Sequence, residues 1–183
     1  MKEIKGFPIY QILDWLGEGK TYDEITKAYS LTAQDILSAI KYAASSLRPK
    51  RVPNLTIYID GSSCGNPGPS GVGIIIHNGK KVIERLSSYI GKATNNISEY
   101  KALILALQYA KRLESESLTI FSDSKLMVNQ INGRYMVKNK ALKRFYNEAK
   151  QLINEFSEFT LRYIPREHNK EANRLANQAS LGK

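Results

Sequence analysis

From Leu55 onward the chain alternates short β-rich runs with long amphipathic segments, and that alternation limits the folds open to it. Leu55 to Ile59 is β-rich and leads into a glycine- and proline-rich turn from Gly61 to Gly71. The runs from Gly71 to His77 and from Lys81 to Ile90 flank Asn78-Gly79, a hairpin signal because both residues tolerate the positive φ of a tight loop. A helix is predicted over Ile97 to Leu113, a strand over Leu118 to Phe121, and helices over Ser124 to Ile131 and Lys140 to Phe156. A strand over Phe159 to Ile164 and a helix over Lys170 to Leu181 complete the pattern. The order βββαβααβα requires an α/β fold, a mixed five-stranded sheet flanked by helices.

The first 47 residues follow the helical period instead. Ile9, Ile12, Leu13 and Leu16 share a face that ends at Gly17 and Gly19. Thr21 and Glu24 are spaced as a capping box, in which each side chain satisfies the other's free amide. Thr32 opens a third helix through Ile36, Ala39, Ile40, Ala43 and Leu47. Residues 1–47 therefore read as a small all-helical domain, similar to the helix-turn-helix modules of antitoxin-like bacterial proteins. Arg48-Pro-Lys-Arg-Val-Pro-Asn54 carries two prolines and three basic residues and reads as a linker over 48–54. The second domain then spans 55–183.

The net charge of +10 and a pI near 9.6 point to a polyanionic partner. Residues 1–50 hold seven basic and six acidic side chains, a net of +1, whereas residues 51–183 hold 20 and 11, a net of +9. Any electrostatic footprint thus belongs to the second domain. The nearly neutral first domain suits self-association, as a homodimer through the N-terminal helices, or docking on the second domain, more than a nucleic-acid clamp. With 42% hydrophobic residues and a mean hydropathy of -0.37, the chain fits neither the membrane nor the disordered class. Its longest apolar runs fall far short of the ~18 residues that span a bilayer, and no signal-peptide pattern follows Met1. A single cysteine, Cys64, excludes an internal disulfide framework and fits the cytoplasm.

Four segments each place a polar residue at a strand end or on a helix face. Asp60 ends the first strand, Glu99 opens the first long helix, Asp123 follows the fourth strand, and His168 and Asn173 belong to the last helical segment. Carboxylates gathered at strand ends suit Mg²⁺, a hard cation that prefers oxygen ligands. Each residue also has a plainer role open to it. Asp60 before glycine fits an ordinary turn, and Asp123 or Ser122 fits a helix N-cap. His168 fits a surface or capping position. Glu99 fits a first helical turn, where the macrodipole favours a carboxylate. Yet Leu103, Ala106 and Ala110 lie within about 40° of Glu99 on a wheel of ~100° per residue, opposite Lys101, Gln108 and Lys111. That alignment puts the glutamate on an apolar face.

Together these segments resemble the type 1 ribonuclease H family. Asp60-Gly-Ser-Ser-Cys-Gly-Asn-Pro-Gly-Pro-Ser-Gly-Val-Gly73 is similar to its opening motif. Thr94-Asn-Asn-Ile-Ser-Glu-Tyr-Lys-Ala-Leu103, Ser122-Asp-Ser124 and Arg166-Glu-His-Asn-Lys-Glu-Ala-Asn-Arg-Leu-Ala176 match its later motifs in order. The resemblance covers about residues 55–181. It implies endonucleolytic hydrolysis of the RNA strand of RNA–DNA hybrids with two Mg²⁺ ions, or Mn²⁺ in their place, leaving 5′-phosphate and 3′-hydroxyl ends. Asp60, Glu99 and Asp123 match the family's metal ligands. The fourth position, normally aspartate, is Asn173, whose amide oxygen remains a possible ligand but carries no charge.

His168 matches the mobile histidine that assists proton transfer or product departure. Ser62, Ser63, Gly65, Asn66, Thr94, Asn95 and Asn96 fall in substrate-contacting segments, where 2′-hydroxyls distinguish RNA from DNA. The same segments also suit a tight structural turn followed by helix-capping asparagines. Thr94, Asn96 and Ser122 are candidates for holding a DNA-strand phosphate, and Lys125 for a basic contact. No lysine-rich protrusion is inserted between the helix after Asp123 and the strand at Phe159, where Asn132 to Lys140 leads directly into the next helix, so the resemblance is to the compact form. Lys138, Lys140, Lys143 and Arg144 either touch phosphates or form a solvated basic face. Asn173 keeps open a hybrid-binding protein with weak or no cleavage, and the N-terminal helices a helix-turn-helix regulator carrying a nuclease-like domain.

Overall fold

The computed structural model describes residues 3–47 and 52–182. The chain divides into two compact units, the first ending at residue 49 and the second beginning at residue 50. The expected linker falls partly outside the described residues, at 48–51. Its remaining part belongs to the second unit, where Val52 is buried and its N–H donates to Leu113 O at 3.0 Å.

The first unit opens with a short antiparallel pairing of β1 (Glu3–Ile4) and β2 (Phe7–Pro8). The expectation of an all-helical unit is corrected here, because two-residue strands are too short to show a sequence period. The helices α1 (Ile9–Gly17), α2 (Tyr22–Tyr29) and α3 (Ala33–Leu47) follow. The capping box is formed: Thr21 N donates to Glu24 Oε2 at 2.7 Å and Glu24 N to Thr21 Oγ1 at 3.3 Å. Thr32 and Asp35 repeat the arrangement at 2.7 and 3.2 Å. Ile12, Ile25 and Ile36 fill the core, edged by Trp15 stacked on Tyr29 at 3.8 Å.

The second unit runs β3 (Asn54–Ser63), β4 (Gly68–Asn78), β5 (Lys81–Ala93), α4 (Asn95–Arg112), β6 (Ser117–Ser122), α5 (Lys125–Ile131), α6 (Lys140–Ile153), β7 (Glu158–Tyr163), a 3₁₀ turn (Arg166–His168) and α7 (Lys170–Ser180). The sheet order is β5-β4-β3-β6-β7, antiparallel across the first three strands and parallel from β3 to β6 to β7. This is the mixed five-stranded sheet expected. Leu55, Ile57, Ile59, Ile74 and Ile76 share one buried cluster with Leu103, Ala106 and Ala110 of α4. Ile75 points the other way, to Ala172 and Leu175 of α7. Burial on both faces explains why β4 is an unbroken apolar run rather than an alternating one.

The glycine-rich turn is shorter than predicted. β3 continues through Ser63 and β4 starts at Gly68, so Gly61, Gly71 and Gly73 lie within strands. Their task is close approach. A Cβ would come 2.2 Å from Ser98 C at Gly61, 2.5 Å from Ala176 O at Gly71 and 2.0 Å from Ala172 O at Gly73. The α4 and α7 backbones thus touch the sheet directly. The hairpin loop is Gly79-Lys80, with Gly79 at φ 57° as a two-residue loop demands.

Gly73→Ala forces α7 off β4 and is expected to lower unfolding stability by about 1–3 kcal/mol, the usual range for overpacking. Urea denaturation followed by circular dichroism checks this. The one tryptophan, Trp15, reports only on the other unit. An unchanged midpoint would mean that the helix–strand contact is looser than described.

Candidate active site

The parallel pairing of β3 with β6 builds the site. Ile59 is in register with Ser122, the last pair of that ladder, so Asp60 and Asp123 emerge side by side where β6 ends. β3 itself runs on to Ser63 rather than ending at Asp60 as expected. Glu99 enters from α4, and the Gly61 N–H donates to its carboxylate. Without the missing side chain at Gly61, α4 could not bring Glu99 that near. Asn173 enters from α7. All four line a cavity of about 330 Å³ together with Lys125 and Arg166. Asp60 and Glu99 are 3% and 5% exposed, so the carboxyls sit at the floor.

An amide network holds the floor in place. Asn169 Nδ2 donates to Asp123 Oδ1 at 2.6 Å and to Ile59 O at 2.8 Å. Asn173 Nδ2 donates to Asp60 Oδ2 at 3.3 Å, while its Oδ1 accepts from Arg166 at 3.2 Å and Asn177 Nδ2 at 2.9 Å. Arginine can only donate, so the atom it meets must be the amide oxygen. Asn173 therefore presents nitrogen, not oxygen, to the nearest carboxylate. Ser62 Oγ closes the chain of bonds on Asn177 Oδ1 at 2.5 Å.

The other expected residues divide into two groups. Ser62, Asn95 and Lys125 line the cavity. Asn66 Oδ1 accepts from Asn95 N at 3.1 Å, which ties the Cys64–Pro67 loop to the start of α4. Thr94 caps α4, accepting from Ile97 N at 3.4 Å, and Asn96 is exposed beside it. Ser63 Oγ donates to Ala93 O at 2.8 Å and also to Gly65 O, so it fastens the loop.

Ser122 is fully buried, and its hydroxyl accepts from Ser124 N at 3.1 Å. Neither Ser122 nor Asp123 is the N-cap of α5, a position held by Ser124. His168 is exposed on the 3₁₀ turn and lines a separate cavity with Tyr58 and His77, outside the carboxylate cleft. Sequence reasoning passed over Arg166, Asn169 and Asn177 as site residues. The signal for them was present in the polar positions of the last motif.

The donor set fits a hard divalent cation, since every group offered is a carboxylate oxygen. Glu99 Oε2 is buried with no hydrogen-bond partner, an unmet polar atom at the cavity floor. Among the described residues no three such side chains are gathered into a ready-made metal cluster. Asp123 leans on Asn169 and Asp60 on Asn173.

A family model described as "Reverse transcriptase-like" matches residues 58–179, and one described as "Protein of unknown function (DUF433)" matches residues 5–43. Ribonuclease HI of Halobacterium salinarum is 34% identical over 134 residues, 73% of this chain and 67% of that protein. The crystal structure of RNase H1 from that archaeon covers 71% of this chain and 99% of its own, with a TM-score of 0.69. LC11-RNase H1, solved in complex with an RNA/DNA hybrid, is 34% identical over 70% of this chain and 98% of its own, with a TM-score of 0.67. The bifunctional protein Rv2228c of Mycobacterium tuberculosis is 39% identical over 127 residues, and the match spans only 35% of that longer protein. The fold, the ordered motifs and these matches define the class, and the chain belongs to the type 1 ribonuclease H family.

Burial, the charge of Asp123 and a hydrogen bond to it push the Asp60 carboxyl up to about 7, against the smaller opposing pull of Arg166 and Asn173. Burial, then Asp60 and Asp123, hold Glu99 well above the usual glutamate range. A folded-state pKa above the unfolded one means that the native state binds the extra proton. The stability this gives is full below the unfolded value and is lost as pH rises through about 7. In EDTA, Asp60→Asn removes this penalty. Its melting temperature should therefore gain on wild type as pH rises from about 5 to about 8. A constant difference across that range would show that Asp60 ionises normally.

Proposed function

We propose that the chain hydrolyses the RNA strand of RNA–DNA hybrids, leaving 5′-phosphate and 3′-hydroxyl ends. The observation that carries this reading is the convergence of Asp60, Glu99 and Asp123 in one cleft, with Glu99 Oε2 buried and unpartnered. Support also comes from the likeness to LC11-RNase H1, which was solved with such a hybrid. Asp60, Glu99 and Asp123 would hold two Mg²⁺ ions, or Mn²⁺ in their place, which supply Lewis-acid activation of water and of the leaving oxygen.

The chain's own residues supply the rest. Lys125 and Arg166 draw a phosphate into the cleft, and Ser62 and Asn95 stand where a ribose 2′-hydroxyl would pass. Asn169 aims Asp123, and Asn173 aims Asp60. Asn173 becomes a metal ligand only by giving up Arg166 and Asn177. It is first a positioning residue. His168 lies one residue from Asn169 on the 3₁₀ turn, where a shift of that turn would carry a proton-transfer group toward the cleft.

A second reading, hybrid binding with weak cleavage, draws on the orientation of Asn173. Incubation of the full chain with a labelled hybrid in Mg²⁺, then EDTA, separates the two. Asp60→Asn and Asp123→Asn are expected to lower cleavage by more than about a hundredfold while hybrid binding survives. Near wild-type cutting by either variant would remove the carboxylates from the proposed chemistry.

Asn173→Asp tests the fourth position. One added negative charge about 4 Å from a cation is worth about 1 kcal/mol or more, even at the dielectric of water. The Mg²⁺ concentration for half-maximal cleavage should fall about fivefold. Superimposable metal titrations for wild type, Asn173→Asp and Asn173→Ala would place residue 173 outside the reach of the ions.

A further inference from the structure

A second basic feature leaves the cleft along α7. A groove of about 660 Å³ runs past Arg166, Lys170, Asn173, Arg174, Asn177 and Gln178. It shares Arg166 and Asn173 with the carboxylate cavity, so the two spaces meet at those side chains. Lys170 and Arg174 are one helical turn, about 6 Å, apart on the exposed face. Neither forms an ion pair with a described residue; Arg174 donates only to Gln178 Oε1 at 2.9 Å. The helix's own acid, Glu171, is paired with Arg85 at 2.6 Å on the side of β5. Among the described residues Glu167 is the sole carboxylate lining the groove. Moreover, Lys170 occupies the first position of α7, where the helix dipole disfavours a cation.

We infer that this groove is a phosphate-binding track for the RNA strand where it leaves the cleft unpaired. The inference rests on the hybrid-cleaving reading of the carboxylate site. A strand with its scissile phosphate among Asp60, Glu99 and Asp123 continues directly past Arg166 and Asn173. Beyond them lie two cations one turn apart, spaced to meet backbone phosphates in succession. The amides of Asn177 and Gln178 offer both donors and acceptors to sugar and base edges, and carry no charge to repel the strand. Leu181, 62% exposed at the far end, gives a base an apolar contact.

The test uses the full chain and the double variant Lys170→Gln/Arg174→Gln, both positions being outside the carboxylate cleft. Binding is measured in EDTA by fluorescence anisotropy over a salt series. The probes are a blunt RNA–DNA hybrid and the same hybrid with the RNA strand extended by about eight unpaired nucleotides, at each end in turn. Wild type should bind one extended hybrid more tightly than the blunt one, with a salt slope steeper by about 1.4, two single-strand contacts at about 0.7 each. The double variant should bind that hybrid and the blunt one alike, and should cleave the blunt hybrid in Mg²⁺ at the wild-type rate. The track is overturned if neither extension helps wild type, if the double variant keeps the gain, or if it loses as much affinity for the blunt hybrid. Cleavage of the blunt hybrid is a separate readout. Its absence in wild type removes the proposed function, whereas normal cleavage without an extension effect removes the track alone.

Discussion

Two carboxyl groups set side by side at the floor of a cavity repel each other, and burial raises the cost of charging either. The β3–β6 pairing imposes that arrangement on Asp60 and Asp123, and α4 adds Glu99. The surrounding structure is organised around tolerating it. Asn169 and Asn173 each turn an amide N–H₂ to a carboxylate, Arg166 adds a positive charge, and the Gly61 N–H serves Glu99. These groups can stand so close only because Gly61, Gly71 and Gly73 let two helices lie against the strands without side chains between them. Three glycines in the sheet and three carboxyls in the cleft are parts of one construction.

Much of this was legible in the residues. Periodicity placed every helix and strand of the second unit, because β4 and β5 alternate or run apolar as a sheet requires and α4 and α6 carry long amphipathic spacing. Glu99 was traceable to the cleft from its alignment with Leu103, Ala106 and Ala110, all of which are buried. What failed did so for local reasons. Glycine marks both a turn and a close backbone contact, so Gly61 to Gly71 read as a loop although most of it is strand.

The amide network was harder to foresee. Which way Asn173 turns depends on Arg166, Asn177 and Ser62, and Ser62 comes from a strand far earlier in the chain. No spacing rule contains that information. His168 lies in a three-residue 3₁₀ turn, too short for a period, and its distance from the cleft follows from the path of that turn.

Asn169 occupies the N-cap position of α7, yet its side chain caps nothing. The amide instead joins the Ile59 carbonyl to the Asp123 carboxylate, bridging the backbone of one strand and a group of the cleft. Few residues could stand in for it. Aspartate would face Asp123 with like charge, serine would reach too short a distance, and leucine would leave both partners unmet. At this position foldedness and chemistry exert the same demand. Variation there cannot be sorted into damage to the scaffold and damage to the work it does, so the range of sequences open to α7 narrows at its cap for two reasons at once.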